Sequence, residues 1–309
     1  MKLNMRGKHK LGALAVLLLI IIGALAYYLT HHTIDVLSPT GIVAQKEKHL
    51  MIITTLLGLV VVIPVFILTG YIAWTYREGS KAAKYTPSWD HNFKLEFVWW
   101  ALPLAIITIL AIITWRSSHE LDPFRQLSSN KQPINVQVIA LQWKWLFIYP
   151  QQNIASVNLV QFPINTPVNF QITSDAPMNS FWIPRLGGQI YAMSGMSTQL
   201  HLMADQTGSF DGSSANISGR GFAGMRFSAK STSQAEFDKW VSRVKQSANK
   251  LGFDQYATLS QPSENNQSAY YSQPATNLYD SVMLKYMVPG FRMGQPTGNL
   301  SGMVHNHAY

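Results

Sequence analysis

Catalysis needs nucleophiles, acid–base groups or metal ligands at workable spacing, and this chain of 309 residues offers few of them. It has no cysteine, which excludes disulfides, zinc–thiolate sites, iron–sulfur clusters and thiol nucleophiles. The sequence shows no nucleophile–base pair, no phosphate-binding glycine loop and no clustered carboxylates. What remains is sparse. Glu96 is the one ionisable residue inside the start of an apolar stretch, where such groups are costly and often functional. His201 lies between Leu200 and Leu202 with no ligand partner nearby, and reads as a surface or hydrogen-bonded histidine. His305 and His307 stand in a Met-containing tail, a weak metal-binding pattern. A glycine-rich run extends from Ser214 to Met225.

The elements that position these residues begin with three uncharged runs, 11–29, 50–76 and 97–115. A helix needs ~20 apolar residues to cross ~30 Å of hydrocarbon. Trp74, Trp99, Trp100 and Trp115 lie near the ends of the second and third runs, where interfacial indoles are expected. Two such long spans exclude a soluble enzyme. Charged residues are only 13% of the chain and the net charge is +9. That charge gathers beside the apolar runs, in residues 1–10 and 76–94, and not on a basic face interleaved with aromatics, so no nucleic-acid partner is expected. Lys and Arg in those segments place the N-terminus and the loop 77–94 in the cytoplasm, and 30–49 and everything after about 116 outside. The first run, with Ala24-Leu25-Ala26, reads as a cleavable signal or a retained helix. A lipoprotein is excluded, since its lipid is carried on a cysteine and the chain has none.

From about residue 130 apolar and polar residues alternate, as in Ile134-Asn135-Val136-Gln137-Val138 and Val168 to Thr173. Turn signals such as Asn165-Thr166-Pro167, Gly187-Gly188 and Asp211-Gly212 separate these runs. The pattern predicts a β-sandwich or Greek-key barrel of roughly 100 residues that stops near Lys230. Ser233 to Glu236 reads as a capping box opening a helix whose buried stripe is Phe237, Trp240, Val241 and Val244. A second short helix is expected around 277–288.

Six stretches in order carry a family resemblance: Ala83-Lys84-Tyr85-Thr86-Pro87, Lys94 to Trp99, Gln142 to Pro150, Met178 to Gly187, Gln189 to Met193, and Ser214 to Met225. From about 40 to 290 the chain resembles subunit II of the haem–copper respiratory oxidases, most nearly the cytochrome o type of ubiquinol oxidase. The resemblance implies a membrane-anchored α+β fold: a transmembrane helical hairpin, plus an N-terminal signal or third helix, followed by a cupredoxin-like Greek-key β-barrel with C-terminal helices. The implied divisions are 1–29 signal or helix, 30–49 external segment, 50–76 transmembrane helix, 77–94 cytoplasmic loop, and 95–116 transmembrane helix. The cupredoxin-like periplasmic domain takes 117–231, a C-terminal helical region 232–290, and a flexible tail 291–309.

In copper-bearing relatives the glycine-rich run reads C-S-E-x-C-G-x-x-H-x-x-M and holds a dinuclear copper centre. Here both thiolate positions are serine, Ser214 and Ser218, and Asn216 stands where a backbone carbonyl binds. Phe222 replaces the histidine of the run, Asn179 replaces the earlier histidine, and only Met225 is retained. Thiolate both binds copper tightly and delocalises its electron, and a hydroxyl does neither. The resemblance therefore implies no catalytic, cofactor or metal residue in this chain, with Met225 serving as core packing. Trp143 and Trp145 match the block through which electrons enter copper-bearing relatives, and are expected here to pack or to touch a partner subunit. The implied function is subunit II of a proton-pumping quinol oxidase in the bacterial inner membrane, its large domain on the periplasmic side. Haem and copper are expected in subunit I, the main partner beside further small membrane subunits, with quinol reaching the complex from the lipid membrane. Glu96 matches a glutamate at the mouth of a proton-uptake channel; the alternative is a snorkelling carboxylate paired with Lys94 or a lipid-facing lysine. A second reading of the whole chain is a membrane-anchored β-domain with a binding or structural role and no oxidase partner.

Overall fold

The computed structural model describes residues 16–80, apart from 18, 22, 25 and 29, and residues 90–296. Much of the apolar run 11–29, the motif 83–87 with half of its loop, and His305 and His307 lie outside the described residues.

Two helices, α1 (Ile42–Thr75) and α2 (Phe93–Glu120), are long and apolar enough to cross a membrane. Both carry an internal proline, Pro64 and Pro103, which membrane helices tolerate better than soluble ones. Residues 42–49 of the expected external segment 30–49 are helical, because α1 starts at Ile42. Its charged first turns are held by the β domain. Thr40 N–H donates to Arg185 O at 2.8 Å, Ala44 N–H to Leu186 O at 3.1 Å, and Gly188 N–H to Glu47 Oε1 at 2.9 Å. Gly41 bridges to Ala204, and a Cβ at Gly41 would lie 2.7 Å from the Met203 carbonyl oxygen, so only glycine fits this crossing.

Among the described residues eleven strands follow in two mixed sheets. They are β1 (Ile134–Leu141), β2 (Lys144–Tyr149), β3 (Ile154–Val157), β4 (Leu159–Pro163), β5 (Val168–Ser174), β6 (Asn179–Trp182), β7 (Ile190–Ala192), β8 (Thr198–Leu202), β9 (Gly208–Ser214), β10 (Arg226–Thr232) and β11 (Ala269–Ser272). One sheet runs β11-β3-β2-β1-β5-β8 and the other β4-β10-β9-β6-β7. β1 pairs parallel with β5 and β4 with β10, and the other pairs are antiparallel. Between the sheets lies a core that includes Trp145, Phe147, Phe181 and Phe227, in which Phe181 and Phe227 stack at 5.0 Å.

Helix α3 (Gln234–Lys245) begins at the predicted capping box, with both reciprocal bonds of Ser233 and Glu236 present. Its stripe Phe237, Trp240, Val241 and Val244 joins the same core. Two more helices, α4 (Phe253–Leu259) and α5 (Leu278–Met287), cover the other face of the first sheet. They form a second core with Ile139, Leu141, Leu146 and Ile148. This cover explains why alternation in β1 gives way to the unbroken apolar run Val138 to Leu141: both faces are buried there. The region 232–290, expected to be helical, also contains β11, which pairs antiparallel with β3 and extends the first sheet. Four residues are too few for a period to declare itself.

Candidate functional site

The positions that match copper ligands in the resemblance gather where β6, β9 and the 214–225 loop meet. Asn179 opens β6, Ser214 closes β9, and Phe181 pairs with Ser214 across the two strands. Ser214 Oγ donates to Asn179 Oδ1 at 3.0 Å and lies 3.2 Å from Asn216 O. Asn179 Nδ2 donates to Pro177 O at 2.6 Å. Ser218 Oγ is buried with no hydrogen-bond partner, while its carbonyl accepts from Trp143 Nε1 at 3.1 Å. Phe222 sits in a short 3-10 turn, and Met225 is buried in the intersheet core. Among the described residues no group of three or more His, Cys, Asp or Glu side chains is placed to hold a metal ion.

Trp143 is the strained member of this region. It is the second residue of the two-residue turn joining β1 to β2 and has φ +62°, a backbone region uncommon for bulky side chains. Its indole covers Gly219 and Gly221. A Cβ on Gly221 would lie 2.4 Å from that ring, so glycine is what lets the indole lie flat on the loop.

The C-terminal segment is fastened around this region. Lys144, 2% exposed, donates through Nζ to Gln261 O at 2.9 Å and to Ser263 Oγ, and burial holds its ammonium below the ordinary value. Arg220 Nε donates to Glu264 Oε1 at 2.7 Å. Asp175, just past β5, is a carboxylate whose side chain is 1% exposed. It accepts from Tyr256 Oη, Lys285 Nζ and Tyr286 Oη, each at 2.7 Å, tying the loop before Asn179 to α4 and α5. Burial first, and the Asp175 charge second, push the Tyr256 phenol well above its ordinary range. Burial alone would lower Lys285, but its bond to Asp175 holds it above the usual lysine value. Nothing in the sequence marks Asp175, because its partners lie 81 to 111 positions away.

Glu96 stands apart from all of this, in the first turn of α2. Asn92 caps that turn, its side chain accepting from Leu95 N–H at 3.2 Å. The side chain that meets Glu96 is His91, Nδ1 to Oε1 at 2.5 Å, an ion pair when the imidazole is protonated, and among the described residues Lys94 forms no salt bridge with it. His201, 4% exposed on β8, donates from Nδ1 to Pro123 O at 2.9 Å, as expected of a hydrogen-bonded histidine. Arg185 donates to Ser38 O at 2.9 Å and lies over Phe210, while Arg226 is exposed.

Residues 152–232 match the family described as Cytochrome C oxidase subunit II, periplasmic domain. Residues 245–290, which include α4, β11 and α5, match COX Aromatic Rich Motif. The chain is 53% identical over 266 residues to a protein of Pseudomonas putida named cytochrome bo(3) ubiquinol oxidase subunit 2, covering 86% of this chain and 84% of that one. It is 45% identical over 269 residues to ubiquinol oxidase subunit 2 of Acetobacter aceti, with 86% and 87% covered. It is 39% identical over 228 residues to quinol oxidase subunit 2 of Bacillus anthracis, with 74% and 78% covered.

Proposed function

Since the chain belongs to the quinol oxidase subunit 2 family, we propose that it is the membrane-anchored subunit II of a proton-pumping respiratory oxidase that carries electrons from quinol to oxygen. The catalytic haems and copper belong to subunit I, and this chain holds no metal of its own. The observation that carries this reading is the donor set at the former ligand positions. Two hydroxyls, two amides, a phenyl ring and one thioether do not fit a dinuclear copper centre. A thioether without thiolate or imidazole has little hold on copper. The Ser214 hydroxyl is already spent on Asn179, and Met225 is packed in apolar surroundings. An electron relay from a soluble cytochrome therefore has no station here, and the donor must reach subunit I directly, as a lipid-soluble quinol does.

The two helices then anchor the subunit in the bacterial inner membrane with the β domain on the periplasmic side, as the basic 77–94 loop favours. Trp143 and the 214–225 loop remain as a packed unit serving subunit contact and assembly. Glu96 lies at the cytoplasmic end of α2 and collects protons for subunit I, with His91 as the neighbour that exchanges them. His91 Nδ1 and the carboxylate are within direct proton-transfer distance. The test is affinity purification of the chain from mild detergent, followed by haem spectra and copper analysis. A co-purifying haem-bearing large subunit, without the signals of a dinuclear copper centre, is the expected result. A colourless, haem-free preparation from membranes gentle enough to keep other respiratory complexes whole would overturn it.

A further inference from the structure

A cavity of about 280 Å³ lies where α1, α2 and the edge strand β8 meet, outside the site described above. Its walls carry Lys46, Glu47, Glu120, Asp122, Arg125 and His201. Its depth is fixed by the helices. The uncharged run of α1 begins at Leu50, four residues beyond Lys46, and that of α2 ends at Trp115, five residues before Glu120. At 1.5 Å per residue the two side chains stand roughly 6 and 7.5 Å past the apolar boundary. A bilayer adds about 5–7 Å of polar layer on each side of its hydrocarbon, so the cavity sits at headgroup level.

The lining chemistry narrows the occupant. Three carboxylates face two cations, which disfavours an anionic guest. Lys46 and Glu120 are paired at 2.5 Å. Glu47 Oε1 is used by Gly188 N–H, and its second oxygen has no hydrogen-bond partner among the described residues. Because a carbonyl can only accept, the bond to Pro123 O places a proton on Nδ1 of His201, so that in the neutral ring Nε2 is an acceptor. Arg125 is exposed and gives a single long bond, 3.3 Å, to His119 O. No phenyl, phenol or indole lines the cavity, so a quaternary ammonium would lack the aromatic cage that suits it. The acceptors suit a primary ammonium and the guanidinium suits a phosphate.

We propose that this cavity binds the headgroup of a phosphoethanolamine lipid from the leaflet on the β-domain side. Glu47 and His201 take the ammonium, and Arg125 takes the phosphate. At ~30 Å³ per water-sized group the space holds about nine such groups, enough for that headgroup and its bridging water. The acyl chains continue along α1 and α2. The lipid would fasten the β domain to the bilayer at the same junction where Gly41 and Glu47 fasten it to α1.

The inference rests on the membrane reading of the two helices but not on the oxidase reading, and haem content scores the latter separately. The experiment uses the intact purified complex in nanodiscs with photoreactive phosphatidylethanolamine, phosphatidylcholine or phosphatidylglycerol, read by mass spectrometry. Labelling by the ethanolamine lipid is expected on 120–128 and 42–47, at least about tenfold above the other two lipids. Glu47→Gln and Arg125→Gln should each cut it several-fold while thermal melting and haem content hold, and inorganic phosphate should not compete. Equal labelling by all three lipids, competition by phosphate, or capture of a partner protein by a photo-crosslinker placed at Gln126 would each overturn the proposal.

Discussion

Replacing Asp175 by asparagine keeps the volume but removes a charge shared by three donors, Tyr256, Lys285 and Tyr286, each at 2.7 Å. Hydrogen bonds to an ionised group contribute about 1.5–3 kcal/mol, against about 0.5–1.5 for neutral pairs. Three bonds would give about 3–4 kcal/mol at face value. The Lys285 side chain is 43% exposed, however, and water can replace much of its share. Tyr256 is buried and can turn its hydroxyl to accept from the new amide. We therefore expect a loss of about 2–3 kcal/mol. At about 2–4 °C per kcal/mol for a domain of this size, melting should fall by roughly 4–12 °C. Asp175→Ala, which strands the Tyr256 hydroxyl, should fall further. The assay is thermal unfolding of the detergent-purified protein followed by tryptophan fluorescence. The reasoning is refuted if both variants melt with the wild type, or if alanine is the milder change. Either result would mean that the C-terminal helices are held by apolar packing alone.

Further tests follow from the same structure. The phenols of Tyr149, Tyr256 and Tyr279 are raised by burial, and Lys285 is raised by Asp175. The folded state thus keeps protons that the unfolded chain begins to release near the ordinary values of 10.0 and 10.5, and these four groups outweigh Lys144, which burial lowers and which acts in the opposite direction. This contribution to stability is complete below about pH 10 and is lost as pH rises further; a melting temperature that climbs from about pH 9 to about pH 11 would contradict it. A Cβ at Gly212 would fall 2.1 Å from the Phe227 ring, so Gly212→Ala should cost about 1–3 kcal/mol in a denaturant melt, and an unchanged midpoint would show that the ring moves freely. Gly221→Ala should lift the indole of Trp143 off its loop and shift tryptophan emission, an outcome ruled out if the spectrum is superimposable on wild type. Glu96→Gln should slow quinol-driven turnover several-fold with little change in the KM for quinol, and His91→Asn should slow it less; full activity in Glu96→Gln would remove the proton-uptake role.

The parts legible in the sequence were those with a long or distinctive local signal. Two uncharged runs announced α1 and α2, and Ser233 with Glu236 announced the start of α3 to the residue. Alternation marked β1 and β5, but only where one face is open. β2 is buried on both faces and shows an aromatic run without alternation, legible through resemblance instead. The helical continuation through 42–49 stayed hidden because its charges suit a loop, and its helical state depends on docking to Arg185, Leu186 and Gly188. β11 is short and owes its existence to β3. At the candidate site the positions that the resemblance matches to copper ligands could be named one by one from the sequence. The Asp175 cluster, the His91 partner of Glu96 and the headgroup-level cavity depend on contacts that chain order does not display.

Oxygen uptake by the purified complex, with a short-chain quinol and reduced cytochrome c offered separately, tests most directly whether a subunit II without copper ligands feeds an oxidase from the membrane. Rapid uptake with quinol and none with cytochrome c is the result this account predicts. Rapid uptake with cytochrome c, persisting when quinone is extracted, would contradict it.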